Sequence, residues 1–286
     1  MLERVVIFHH PQSEGAAMLG EQILREFGRH SVEVTLAHAW DESARPAIRD
    51  AGLIVCIGGD GTVLRAARVA VPYAVPILGI NMGRLGFLTD MSPRDFFNYF
   101  ERVIGQDWRL EDRLMVRAEI ENGPGVPPHR FHALNDVVVS RRSPGRPVYV
   151  DLRIDDAEVA EYRCDGMIVC TPTGSTGYSL SAGGPILAPT EHHLVVTPVS
   201  PHLALARSLV LQPDSEVELA VTSEEGAILS VDGQEEVPLV VGAKVLAGVS
   251  DHITRFVRFS PPSSFYAVLA DRLEGQLSST KRRHRD

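Results

Sequence analysis

The chain has 286 residues, 44% of them hydrophobic, and a net charge of −9 from 28 Lys and Arg against 37 Asp and Glu. That length and apolar content suffice for one large or two medium domains. The acidic balance argues against nucleic acid or an anionic membrane as a partner, and no apolar run reaches the length of a membrane span.

In chain order, Arg4–His9 reads as a strand, Glu14–Phe27 as an amphipathic helix, and Val32–Ala37, Leu53–Ile57 and Val75–Ile80 as further strands. Val63–Ala70 reads as a helix, and so does Pro93–Val103, opened by Ser92 and Pro93. Strands alternating with helices imply a parallel sheet covered by helices. From Leu110 the pattern changes. Leu114–Ile120 and Glu216–Val221 alternate with period two, and turn residues recur at Asn122–Pro128, Ser143–Pro147 and Pro213–Ser215. This is an all-β pattern until about Ser263, where Phe265, Val268, Leu269, Leu273 and Leu277 fall on one helical face behind Pro261-Pro262. The basic run Lys281–Arg285 reads as a solvated, disordered tail.

Chemistry concentrates behind two strands. Leu53–Ile57 runs into Gly58-Gly59-Asp60-Gly61-Thr62 and then the Val63–Ala70 helix. Open α/β sheets bind ligands at the carboxyl ends of their strands. Glycines there let the backbone approach a phosphate and offer it amide N–H groups. A carboxylate inside such an anion site is costly unless a metal or a reacting hydroxyl uses it, which singles out Asp60. The run is neither a Walker A loop nor G-x-G-x-x-G, since Leu64 stands where the third glycine would fall. As an isolated motif, Gly-Asp-Gly is also ordinary turn chemistry. The second segment is Arg163-Cys164-Asp165-Gly166, the apolar Met167–Cys170, and the hydroxyl- and glycine-rich Thr171–Pro185. Tyr178, Leu180 and Pro185 set the latter apart from a flexible linker. Between the two lies Leu134-Asn135-Asp136 at the head of Val137-Val138-Val139, which by itself is also readable as a plain turn.

Taken together, these segments resemble the NAD kinase family from about Val5 to the C-terminal helix. Gly58–Gly61 is a pattern shared with diacylglycerol, sphingosine and phosphofructokinases, whereas Thr173–Pro185 and Asn81–Thr89, with Arg84 and Leu85 at its centre, match NAD kinases closely. The resemblance implies a parallel-sheet α/β domain over residues 1–108, a β-rich NAD-binding domain over 109–261, and a C-terminal helix, 262–280, returning to the first domain. It also implies ATP-dependent phosphorylation of the adenosine ribose 2′-hydroxyl of NAD. Other nucleoside triphosphates or polyphosphate are alternative donors, and Mg²⁺ or Mn²⁺ would arrive with ATP. Asp60 is then the catalytic residue that orients the hydroxyl and takes its proton late, with Gly58, Gly59, Gly61 and Thr62 as the phosphate loop. NAD contacts fall on Asp60, Gly61, Asn135, Asp136, Asp165 with Arg163, Thr173, Thr176, Gly177, Tyr178 and Ser181. Arg65, Arg146 and Gln234 are further candidates. Two positions depart from the family pattern, Asp136 for the usual Glu and Gly177 for a frequent Ala. The family further implies a homodimer or homotetramer whose neighbouring subunits contribute near the nicotinamide pocket.

Cys56, Cys164 and Cys170 have neither disulfide nor zinc spacing, and the adjacent pairs His9-His10 and His192-His193 point to opposite faces of any strand. No protein-bound metal is expected. Val5–Phe8 is too short for a secretory leader, so a reduced cytoplasmic enzyme is expected. Two competing readings are a lipid kinase on the Gly-Gly-Asp-Gly scaffold, for which the sequence offers no membrane-binding segment, and a non-catalytic dinucleotide sensor, against which Asp60 argues.

Overall fold

The computed structural model describes residues 2–83, 86–122, 128–202 and 207–283, without the side chains of Glu42 and 274–283. Arg84, Leu85, the Leu277 side chain, the interior of the Asn122–Pro128 turn, and His284 and Arg285 of the basic run lie outside the described residues. The chain divides into two compact units, Met1–Glu111 with Arg255–Asp286, and Asp112–Thr254.

In the first unit, β1 (Arg4–His9), α1 (Glu14–Arg29), β2 (Glu33–His38), α2 (Arg45–Ile48), β3 (Leu53–Ile57), α3 (Asp60–Ala70), β4 (Ile77–Ile80), α4 (Pro93–Asn98) and α5 (Phe100–Ile104) follow in order. The strands form a parallel sheet, β2-β1-β3-β4, with Ile7 opposite Leu36 and Val55, and Val55 opposite Leu78. Every residue of β3 is buried, as expected of a central parallel strand covered on both faces. Ser13 caps α1 by accepting from the Ala16 N–H at 3.2 Å. The helix then buries Leu19, Ile23 and Phe27, each such side chain stabilising by about 1.5–3 kcal/mol.

Three local readings change. α3 begins at Asp60, three residues ahead of Val63, because the extended Gly59 serves as cap and its carbonyl accepts from Thr62 and Val63. The helix expected over Pro93–Val103 breaks at Tyr99 into α4 and α5, although it starts at Ser92 and Pro93 as expected, where Ser92 and Asp95 form a capping box. α2, with Pro46 in its first turn, carries too few residues for a periodic signal.

The second unit is built from strands: β5 (Arg109–Glu121, entering from the first unit), β6 (His129–Ala133), β7 (Asp136–Arg141), β8 (Val148–Ile154), β9 (Ala157–Cys164) and β10 (Gly166–Cys170), then the short α6 (Tyr178–Ser181), then β11 (Val195–Val199), β12 (Leu209–Val210), β13 (Val217–Val221), β14 (Ala227–Val231), β15 (Glu235–Leu239) and β16 (Lys244–Arg258, whose end belongs to the first unit). One antiparallel sheet runs β12-β11-β10-β7-β14-β15. In a second, β13 pairs with β8 and β16, and β8 with β9. Val137, Val139, Met167, Val169 and Leu229 of the first sheet share one core with Val150, Leu152, Leu219 and Val245 of the second. The period-two pattern of β13 is realised, with Val217, Leu219 and Val221 inward.

The last helix, α7 (Ser264–Arg283), follows Pro261-Pro262 and is part of the first unit. It continues through Lys281–Arg283, so the start of the basic run read as a disordered tail is helical.

A buried ion cluster ties the first unit together. Arg258, 5% exposed, donates to Glu111 at 3.1 Å and to the Leu88 carbonyl at 3.2 Å, with Asp90 3.7 Å away. Glu111 keeps Arg109 at 3.0 Å, and Asp90 also accepts from the Phe259 N–H at 2.7 Å. Removing one partner of a buried pair leaves desolvated charge behind. Arg258→Ala is expected to cost about 3 kcal/mol in urea unfolding; a loss below 1 kcal/mol would show that the cluster does not hold this unit.

Candidate active site

The β3–α3 turn places Asp60 in the first turn of an eleven-residue helix, with the positive end of its dipole at Gly58–Gly61. A Cβ on Gly58 would strike Thr62, and Thr62 is fully buried beneath it. Around Gly59 and Gly61 the space is open. The Asp60 carboxylate accepts from the backbone N–H of Leu88 at 3.1 Å and of Phe87 at 3.3 Å. Arg272 of α7 donates to it at 3.2 Å, with its guanidinium over the Phe87 ring at 4.4 Å. A Cβ on Gly86 would collide with the same carboxylate, which explains one glycine of the Asn81–Thr89 loop. Arg65 lies on α3, half-buried.

A second constellation lies at the head of β7 in the other unit. Asp232, in the β14–β15 turn, accepts from three consecutive backbone N–H groups, those of Leu134 at 2.9 Å, Asn135 at 2.7 Å and Asp136 at 3.1 Å. The turn takes positive φ at Asp232 (51°) and Gly233 (64°), and the Gln234 N–H closes it on the Val231 carbonyl. Asp136 is almost fully buried. That burial, with Asp232 beside it, pushes its carboxyl up to about 7. The loop after β10 locks onto the same point. Thr171 donates through its N–H to the Asn135 carbonyl at 2.9 Å and through its hydroxyl to the Leu134 carbonyl at 2.6 Å. A Cβ on Gly174 would collide with the Asn135 carbonyl.

The Thr171–Pro185 segment is therefore an ordered 3₁₀ turn, Gly174–Thr176, followed by α6. Buried Thr173 accepts from Arg113 at 3.2 Å, and the Thr176 hydroxyl donates to the Thr173 carbonyl at 3.2 Å. Tyr178 and Ser181 are exposed, and Ser179 is buried against Thr197 at 3.1 Å. Asn135, Asp136, Thr173, Thr176, Gly177 and Gln234 thus converge.

Arg146, Arg163 and Asp165 do not join them. Asp165 pairs with Arg141 at 2.7 Å, Arg146 pairs with Glu225, and Arg163 lies 6.0 Å over Tyr149. They line a cavity of about 520 Å³ with Arg141 and Arg142, save Asp165 itself. Asp136 and Arg141 are opposite ends of β7, and five residue steps separate them by roughly 16 Å. Sequence reasoning missed Asp232 and Arg272. Asp232 stands two residues before the candidate Gln234, and its one signal was an Asp-Gly turn between alternating strands. Arg272 gave none.

Residues 40–108 match the family profile described as the ATP-NAD kinase N-terminal domain, and residues 134–259 that of the ATP-NAD kinase C-terminal domain. An NAD kinase of Heliobacterium modesticaldum is 42% identical over 84% of this chain and 84% of its own length. One of Chloroflexus aurantiacus is 36% identical over 96% and 99%. An Archaeoglobus fulgidus NAD kinase solved in complex with ATP superposes with a TM-score of 0.77 at 29% identity, over 93% of this chain and 97% of that one. A yeast NADH kinase complexed with NADH shares the fold, with a TM-score of 0.86 at 23% identity over 96% and 88%. The chain belongs to the NAD kinase family.

The raised carboxyl of Asp136 carries a pH signature. The folded state holds its proton up to about pH 7, the unfolded chain only to the ordinary 3.8. Stability from this group is therefore complete below 3.8 and drains away as pH rises to about 7. Asp136→Asn removes that drain, so its unfolding free energy should gain on wild type across this window and level off above it. A difference that does not move with pH would sink the assignment.

Proposed function

We propose that this chain transfers the γ-phosphoryl group of ATP to the 2′-hydroxyl of the adenosine ribose of NAD, giving NADP and ADP. The observation that carries the reading is Asp60, fixed between Leu88, Phe87 and Arg272 in the first turn of α3. The 2′-oxygen attacks the γ-phosphorus, the bond to the β–γ bridging oxygen breaks, and the hydroxyl proton passes to Asp60. Phosphoryl transfer runs through a loose transition state, so positioning and charge neutralisation dominate. Arg272 and the Phe87–Leu88 amides fix the direction of the carboxylate. Of the expected phosphate loop, Gly59 and Gly61 face open space and line the donor phosphates at the helix N-terminus, while Gly58 and Thr62 are buried and shape the turn, with Arg65 nearby in sequence. Mg²⁺ prefers phosphates plus one or two carboxylates, and Asp60 offers one, which fits an ion arriving on ATP and neutralising its phosphates.

Asn135 and Asp136 bind the adenosine moiety, and Thr173, Thr176, Gly177, Tyr178 and Ser181 wrap the dinucleotide, with Gln234 at the same turn. ATP as donor is supported by the Archaeoglobus relative, solved in complex with ATP. Asp165, Arg163 and Arg146 serve the nicotinamide end and phosphates. Their separation from Asp136 along β7 supports a homodimer or homotetramer in which they act on a neighbouring subunit's NAD. Residence in the cytoplasm is supported by the three cysteines, all free and buried. Among the described residues no helix is long and apolar enough to cross a membrane.

Asp60→Asn keeps the size and hydrogen bonding but loses the base, and kcat should fall by about 10²–10⁴-fold with NAD affinity retained. NADP and 2′-deoxy-NAD should not be phosphorylated. The check is a coupled NADP assay with ATP, other triphosphates and polyphosphate as donors. Asp60→Asn activity within twofold of wild type, or phosphate transfer to the 2′-deoxy compound, would reassign the base or the acceptor hydroxyl.

A further inference from the structure

Eleven histidines show no ligand spacing along the chain, yet the fold of the second unit assembles one that spacing conceals. His132 on β6 meets Asp251 and His252 on β16, and one ligating atom from each lies within 4.8 Å of the others. The two imidazole rings stand edge to face with centroids 4.6 Å apart. Both rings are half-buried and Asp251 is exposed, so the cluster opens to solvent on one side.

The surroundings have the form of an outer shell. Buried Ser250 accepts from the His252 backbone N–H at 2.9 Å, and its Oγ lies 2.8 Å from His132 Nδ1. With Nδ1 protonated, Ser250 accepts that hydrogen bond too and the Nε2 lone pair remains for a ligand. A partner on the second ring nitrogen is how metal-binding histidines are oriented. Two cations act on His132, Arg117 and Arg130, and each is matched by a carboxylate. Arg117 binds Glu216 at 2.6 and 2.7 Å, and Arg130 binds Glu119 at 2.8 and 3.1 Å. Their repulsion toward an incoming dication is thereby damped.

We propose that His132, His252 and Asp251 form a divalent transition-metal site, three protein ligands with water completing a tetrahedron, that clips β6 to β16. Two imidazoles and a carboxylate without thiolate suit Zn²⁺, Co²⁺ or Ni²⁺ over Mg²⁺ or Ca²⁺. Such a site would run against the sequence expectation of no protein-bound metal. It is independent of the ion carried by ATP, and it stands or falls separately from the phosphoryl-transfer reading.

The test titrates metal-free full-length protein with Co²⁺ and follows its visible d–d absorption. The expected result is a saturable tetrahedral spectrum at one ion per chain, displaced by Zn²⁺, with a higher Tm in Zn²⁺. The spectrum should disappear in His132→Gln and in His252→Gln and persist in His192→Gln. Ser250→Ala should bind about 10–100-fold more weakly. No saturable spectrum, or one undiminished in both histidine variants, overturns the proposal. Should those variants fail to fold, wild-type NMR decides: Co²⁺ must broaden the His132 and His252 imidazole signals first, and broadening that begins at other histidines overturns it equally.

Discussion

One carboxylate organises the head of β7 in the second unit. Asp232 gathers the N–H groups of Leu134, Asn135 and Asp136, the last two residues before β7 and its first. Those groups lie between β6 and the first rung of the β7 ladder, and all three turn to Asp232 instead of to a strand partner. The turn at Asp232 has to supply an acceptor from another hairpin, and it does so by taking a left-handed conformation that Asp tolerates better than most residues. With the three N–H groups fixed, the carbonyls of Leu134 and Asn135 point the other way and receive Thr171. The loop after β10 is then seated, and only a glycine at 174 lets it come so close. Three segments widely separated in sequence become one rigid surface through one side chain.

The first unit repeats the device with charge. Asp60 is held by the N–H groups of Phe87 and Leu88, and the Leu88 carbonyl is held in turn by the buried Arg258. Arg258 is fixed by Glu111 and Asp90. The proposed base is thus the outer end of a chain of charge-assisted hydrogen bonds that starts in the core. Burying an arginine with two carboxylates adds little net stability against an apolar alternative. What it provides is direction, since a loop carbonyl pinned by a planar guanidinium cannot drift. Gly86 plays the part here that Gly174 plays in the other unit.

How much of this the sequence discloses follows from the range of each interaction. β1 and β3 are legible to the residue, because an apolar run of five or six bounded by turn residues has few other homes. The Gly58–Thr62 turn is legible because glycine spacing is a local property of backbone. The start of α3 is not, since helical residues at Asp60 and Gly61 carry no apolar periodicity. The break at Tyr99 is equally silent, for both halves keep the helical pattern. Asp232, Arg272 and the His132–His252 cluster are illegible for a stronger reason. Their partners lie roughly a hundred residues or more away, and nothing in a local pattern fixes which strands will adjoin.

Asp136, which the resemblance reads as standing for the family's usual Glu, is almost fully buried at the head of β7. Its carboxyl lies beside Asp232, where its charge loses hydration and meets a like charge. Asp232 accepts from three N–H groups through its two carboxyl oxygens, and it is Asp136 beside it that burial holds protonated up to about pH 7. Below about pH 7 Asp136 is then a neutral acid that donates one hydrogen bond and accepts others, and above it an acceptor alone. A ribose hydroxyl can meet either form, because it also donates and accepts. In the proposed reading, recognition of the acceptor sugar by Asp136 tolerates the change of protonation, and the penalty of ionisation falls on the stability of the β7 hairpin cluster instead of on the ligand.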